Sequence, residues 1–127
     1  MAKVEVLAYL QDVLDAIHDI EICFAGFPNR YDLFEQDMMR KCVVERKVEI
    51  IGEAINRIKK ADSTVEIPNA RAIIDTRNRI IHAYDNVQAD FLWSLVKRHI
   101  PVLKDDILEV LSKYEELCDE ESRNFDI

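Results

Sequence analysis

VERKVEIIGEAINRI, residues 44–58, carries Val44, Val48, Ile51, Ile55 and Ile58 at alternating steps of four and three, with charged side chains between them. At about 100° per residue these five positions share one face, so the stretch reads as a helix that buries a single stripe. Working outward, the same spacing recurs at Val6, Leu10, Val13, Ile17, Ile20 and Phe24, and again at Leu103, Ile107, Val110, Tyr114 and Leu117. The first helix is expected over residues 3–25. Gly26, Pro28 and Asn29 punctuate the chain after it, and Asp32 with Glu35 is spaced as a capping box opening a second helix that extends to about Lys60. The polar run from Ala61 to Thr64 stops that helix, and Pro68 stands where proline sits in a helix's first turn, giving a third helix over 68–84. Asn86 or Asp90 caps a fourth helix carrying Phe91, Leu92, Leu95 and Val96. Pro101 lacks a donor and crowds the preceding turn, so a kink or break is expected between His99 and Pro101, with a last helix beyond. The acidic stretch 118–127 reads as a frayed tail.

The pattern predicts an all-α fold: one domain over residues 1–127, built as an up-and-down bundle of four to five helices. Composition agrees. Two glycines and three prolines in 127 residues are too few for the turns of an all-β domain, and 49% hydrophobic residues suffice for a core. Cys23, Cys42 and Cys118 are odd in number and show no CxxC spacing, so reduced thiols in a cytoplasmic protein are expected. The N-terminus has no basic stretch followed by an apolar run, and no stretch approaches the length of a membrane span; neither export nor a membrane partner is expected.

A net charge of −8 argues against a protein that coats nucleic acid along its whole surface. The charge is uneven. Residues 71–98 hold five basic side chains (Arg71, Arg77, Arg79, Lys97, Arg98) against three acidic ones (Asp75, Asp85, Asp90), a net of +2, which leaves −10 for the rest. A polyanion site belongs in this segment.

On the third helix Ala70, Ile73, Ile74, Arg77, Ile80, Ile81 and Tyr84 fall on one side, which puts Arg77 in the middle of an apolar stripe. Burying a guanidinium costs several kcal/mol unless it is paired, so Arg77 is in either an internal ion pair or a cleft that receives an anion. Asn78 and His82, four apart, stack on the neighbouring flank with Arg71 and Asp75. Arg77 and His82 are roughly 140° apart on an ideal helix, so a site using both needs a groove or a second copy of the helix. Singly, such an arginine is most often a paired structural group and such a histidine an ordinary boundary residue. With Asn78 and Tyr84 beside them, they make a candidate site.

The run Arg77-Asn78, three residues, then His82-Ala83-Tyr84 resembles the Arg-x4-His-x-Tyr motif of HepT-like toxins in the HEPN superfamily. The likeness extends to Ile50–Ala54, Ile67-Pro68, Asp85–Val87, Trp93 and Ile100–Leu103. It implies a HEPN helical bundle, active as a homodimer with two motifs facing one cleft. It also implies metal-independent endoribonuclease chemistry with no cofactor, in which the RNA 2′-hydroxyl attacks and a 2′,3′-cyclic phosphate is left. His82 would then be the general acid/base, Arg77 the group that holds the phosphate and stabilises the transition state, and Asn78 a supporting residue. The implied partner is a minimal nucleotidyltransferase antitoxin, as in a type VII toxin–antitoxin pair, which silences the toxin by moving AMP onto Tyr84. Arg71, Arg79, Lys97 and Arg98 are candidate RNA contacts.

Other constellations are weaker. Asp15 and His18 have the carboxylate-x-x-His spacing of di-iron bundles, but the second pair is missing and His18 reads as a boundary residue. His99 reads as a helix-end histidine. Trp93 with Phe91 could stack an RNA base, although aromatics on an amphipathic helix are more often core. Glu45, Arg46, Lys47 and Glu49 read as an exposed mixed-charge face. The competing function is a non-catalytic binding or scaffold subunit accompanying a nucleotidyltransferase, a role that has no use for an arginine on an apolar stripe.

Overall fold

A computed structural model describes residues 2–82 and 89–125. The elements are α1 (Ala2–Phe24), α2 (Tyr31–Glu35), α3 (Met38–Ala61), α4 (Arg71–His82), α5 (Ala89–Ser94), a π-helical turn (Leu95–His99) and α6 (Ile100–Phe125). No strand occurs among the described residues. The three stripes read from sequence are the core: Val6, Leu10, Val13, Ile17 and Ile20 of α1, all five stripe residues of α3, and Leu103 and Ile107 of α6 are fully buried or nearly so. α1 packs along α3 and α6, α4 lies on α3 and the π turn, and α2 fills the end between α3 and α5. No described helix is long and apolar enough to cross a membrane.

Several boundaries differ from the sequence reading, each for a local reason. The single helix expected from Asp32 to Lys60 is two. Asp32 lies inside the short α2 and pairs with Arg30 (2.6 Å), whereas Asp37 accepts the Arg40 backbone N–H (3.0 Å) at the start of α3. Pro68 stands outside α4, because Asn69 adopts a left-handed backbone (φ 62°) that a helix cannot continue through and that asparagine tolerates. The intrahelical ladder resumes with the Ile74 N–H on the Ala70 carbonyl (3.1 Å). Asn69 Nδ2 donates to Asp106 (2.7 Å) and the Tyr114 hydroxyl to Asp62 (3.2 Å), so α6 holds both ends of the loop that delivers α4. Asn86 lies outside the described residues. Asp90 accepts the Phe91 N–H (3.0 Å) in the first turn of α5.

Pro101 does not break the chain. The helix runs from Ala89 through Phe125, into the stretch read as a tail, and absorbs the proline by widening one turn: the Ile100 N–H reaches back five residues to the Leu95 carbonyl. Two stripe residues also turn outward. Leu117 is 53% exposed and borders an open cavity beside the 62–68 loop, and Phe91 is 41% exposed.

At the end of the bundle, Phe24, Phe34, Tyr31 and Trp93 form an aromatic cluster with ring centroids 5.3–6.3 Å apart. Cys23 and Cys42 are free thiols, and burial raises the pKa of Cys23; the side chain of Cys118 lies outside the described residues. The mixed-charge run is not a plain exposed face. Glu45, Lys47 and Glu49 are half-buried, and Lys47 bridges to Asp19 of α1 at 2.8 Å.

The Arg40 backbone N–H, and then its guanidinium, hold the Asp37 carboxyl below the usual carboxylate range. A depressed folded-state pKa contributes stability above the unfolded value, about 3.9, and loses it as pH falls through the lower folded value. Asp37→Asn keeps the capping oxygen and removes the charge. Its Tm deficit against wild type is expected to be constant near neutrality and to shrink as pH falls through the lowered folded-state value of Asp37, by thermal melts across pH.

Candidate functional site

α4 begins with Arg71 exposed and ion-paired to Asp75 one turn on (3.5 Å). Ile73 and Thr76 face the core, and Thr76, buried among apolar neighbours, satisfies its hydroxyl by donating to the Ala72 carbonyl (2.8 Å). Arg77 follows on the same inward side and is only partly exposed. Its stem lies flat across α3 at Gly52: a Cβ placed on that glycine would come 2.3 Å from Arg77 Cδ, 3.1 Å from its Cβ and 3.2 Å from its Cγ.

Arg77 Nε is buried and makes no hydrogen bond, and among the described residues no carboxylate pairs with the guanidinium. The choice left open by the sequence therefore resolves away from an internal ion pair there. Leaving a buried donor unsatisfied costs about 1–3 kcal/mol, a cost that a planar, permanently charged fork recovers when a phosphate arrives to accept from it. Asn78 is exposed on the next position round the helix. His82 ends α4; its side chain and the whole of Tyr84 lie outside the described residues.

The remaining basic residues are dispersed. Arg79, exposed and roughly 200° from Arg77 on an ideal helix, sets its guanidinium 4.2 Å from the Phe91 ring centre. Phe91 is thus an exposed aromatic covered by a cation, not a core residue. Lys97 reaches over Trp93 (4.6 Å) and Phe24 (5.9 Å), which places Trp93 in the aromatic cluster. Arg98 is exposed next to it. His18 is exposed, and His99 is half-buried in the π turn. Among the described residues no three His, Cys, Asp or Glu side chains gather to hold a metal ion.

Sequence reasoning missed Gly52 as a site residue. The signal was present: a glycine inside a 24-residue helix costs about 1 kcal/mol relative to alanine, and Gly52 has an ordinary helical backbone that does not need glycine. The cavity of about 540 Å³ bounded by Lys3, Asp62, Val65, Pro68, Asp106 and Tyr114 lies away from Arg77, and no motif residue lines it.

Comparison with known proteins gives a consistent picture. A family model described as ribonuclease HepT-like matches residues 13–110. A protein named "Putative RNase MJ1380" from Methanocaldococcus jannaschii is 32% identical over 109 residues, covering 84% of this chain and 97% of that protein. Another from the same organism, "Putative RNase MJ0125", is 30% identical over 118 residues, 91% of this chain and 99% of that one. "Probable ribonuclease HepT" of Thermococcus cleftensis is 38% identical over 103 residues, 76% of this chain and 86% of its own. No solved structure gives a significant match.

An arginine kept at a cost to stability should be replaceable with a gain. Arg77→Met keeps an unbranched apolar stem over Gly52 and removes the orphan nitrogen, and is expected to stabilise the fold by about 1 kcal/mol. Urea denaturation should show a higher midpoint at unchanged slope. A lower midpoint would mean that the guanidinium has a structural partner.

Proposed function

Because the chain belongs to the HepT-like ribonuclease family, we propose that it is the toxin of a type VII toxin–antitoxin pair, a metal-independent endoribonuclease acting in the cytoplasm as a homodimer. The observation that carries the reading is Arg77, a guanidinium seated in an apolar stripe with a buried Nε and no carboxylate partner among the described residues. A scaffold subunit gains nothing from that arrangement. A phosphate-binding one does.

In the proposed reaction the RNA 2′-oxygen attacks the adjacent phosphorus and the P–O5′ bond breaks, giving a 2′,3′-cyclic phosphate and a 5′-hydroxyl. His82 handles the proton, as base toward the 2′-hydroxyl or as acid toward the departing 5′-oxygen, chemistry suited to a group that titrates near neutrality. Arg77 takes the non-bridging oxygens, whose charge grows in the transition state. Asn78 orients the histidine or a phosphate oxygen. Arg71, Arg79, Lys97 and Arg98 are the candidate contacts to the RNA backbone in this reading. Because Arg77 and His82 diverge around one helix, two copies of the motif across a dimer axis supply the complete site.

The proposed antitoxin is a minimal nucleotidyltransferase that moves AMP from ATP onto the Tyr84 hydroxyl with release of pyrophosphate. The adduct fills the cleft and adds negative charge where RNA must enter.

Incubation of the purified protein with total RNA in EDTA tests the nuclease. Wild type should cut and leave cyclic-phosphate ends. Arg77→Ala should lose on the order of a hundredfold or more, and His82→Ala a comparable amount with less loss of RNA affinity. Normal cutting by Arg77→Ala removes the central claim, and failure of wild type to cut favours the scaffold reading. For the modification, Tyr84→Phe should remain an active nuclease and accept no AMP; an adduct mapped to another residue by peptide mass spectrometry defeats the assignment.

A further inference from the structure

The three atoms nearest to an added Cβ at Gly52 all belong to the Arg77 stem, and the closest, Cδ at 2.3 Å, is the atom bonded to the buried Nε. We infer that Gly52 is the positioning residue of the site: its missing side chain forms the seat that fixes how far the Arg77 guanidinium stands off α3. The inference rests on the reading of Arg77 as the phosphate-binding group.

The geometry separates this role from packing. Gly52 sits in mid-helix on a face otherwise built of Val48, Ile51 and Ile55, with no unusual backbone angle, so alanine suits α3 better. What alanine cannot do is leave Arg77 where it is. Ordinary contact begins near 3.4 Å, so a Cβ at 2.3 Å drives Cδ away by about 1 Å, and the guanidinium beyond it further. The stem is flexible and its terminal end leads toward solvent, so the fold absorbs the change by moving the arginine. The site does not absorb it, since a misplacement of about 1 Å at a reacting group costs on the order of a hundredfold in rate.

The test is Gly52→Ala, with Gly52→Ser as a second variant, each first shown to match wild type in helicity and in oligomeric state. Two readouts are taken. Arginine-specific labelling with phenylglyoxal, read at Arg77 by peptide mass spectrometry, should be several-fold faster in both variants, because the displaced guanidinium leaves its seat. RNA cleavage should fall on the order of a hundredfold, with the loss in kcat greater than the change in KM. Unchanged labelling of Arg77 overturns the inference whatever the activity does. Faster labelling with normal cleavage overturns it too, because the seat would then have no bearing on the reaction. If wild type itself fails to cut RNA, the ribonuclease reading falls, and the labelling still decides whether Gly52 seats Arg77.

Discussion

The contact between the Arg77 stem and the bare backbone of Gly52 is the constraint on which the packing of α4 against α3 depends. A guanidinium can be brought inside a helical bundle without a carboxylate only if its aliphatic stem finds apolar contact and its charged end keeps a way out. A glycine notch on α3 provides the first condition. Placement of Arg77 on α4, beside the core yet only partly covered, provides the second. Once these are met, Nε is left as a buried donor in want of an acceptor. The same packing that seats the stem makes that nitrogen costly to keep.

The core stripes were legible because a helical stripe is a one-dimensional property. Spacings of three and four at Val44 to Ile58, or Val6 to Ile20, define a face without knowledge of what covers it, and those residues are buried. The inward placement of Arg77 beside Ala70, Ile73 and Ile74 was legible for the same reason, while the side chains of Ile80, Ile81 and Tyr84 on that stripe lie outside the described residues. Caps and breaks were less so, because Asp32 and Asp37 offer the same chemistry four and nine residues after Pro28, and only the Arg40 contacts select between them. The pairing of Gly52 with Arg77 could not be read at all from pattern. The two are 25 residues apart, and their meeting depends on the axial height of α4 against α3. That height is set by the 62–70 loop, through Asn69 on Asp106 and Tyr114 on Asp62. Phe91 shows the converse: its ring is served by Arg79, not by the core, a solution that hydrophobic periodicity does not represent.

Cations serve the same purpose elsewhere in the molecule. Lys97 lies over Trp93 and Phe24, and Arg40 over Phe27, closing the aromatic end of the bundle with charged groups. In a chain whose overall charge is strongly negative, much of the positive charge is therefore spent on aromatic faces and on in-helix partners such as Asp75 for Arg71. The charge left to Arg77 stands out against that background, as the one described arginine whose buried nitrogen has nothing to bind.

The π turn at Leu95–His99 makes the long C-terminal helix a register adapter. One residue more than an α-helical turn is accommodated between Ser94 and Ile100, which rotates everything downstream by roughly 100° relative to everything upstream. Leu92 ahead of the turn, Leu95 and Val96 within it, and Leu103 and Ile107 beyond it are all buried. The helix is in effect two amphipathic segments of different phase spliced into one rod. The splice carries one odd residue: a one-residue deletion in the turn would heal the ladder and leave the downstream face where it packs, at the loss of the wide turn that precedes Pro101.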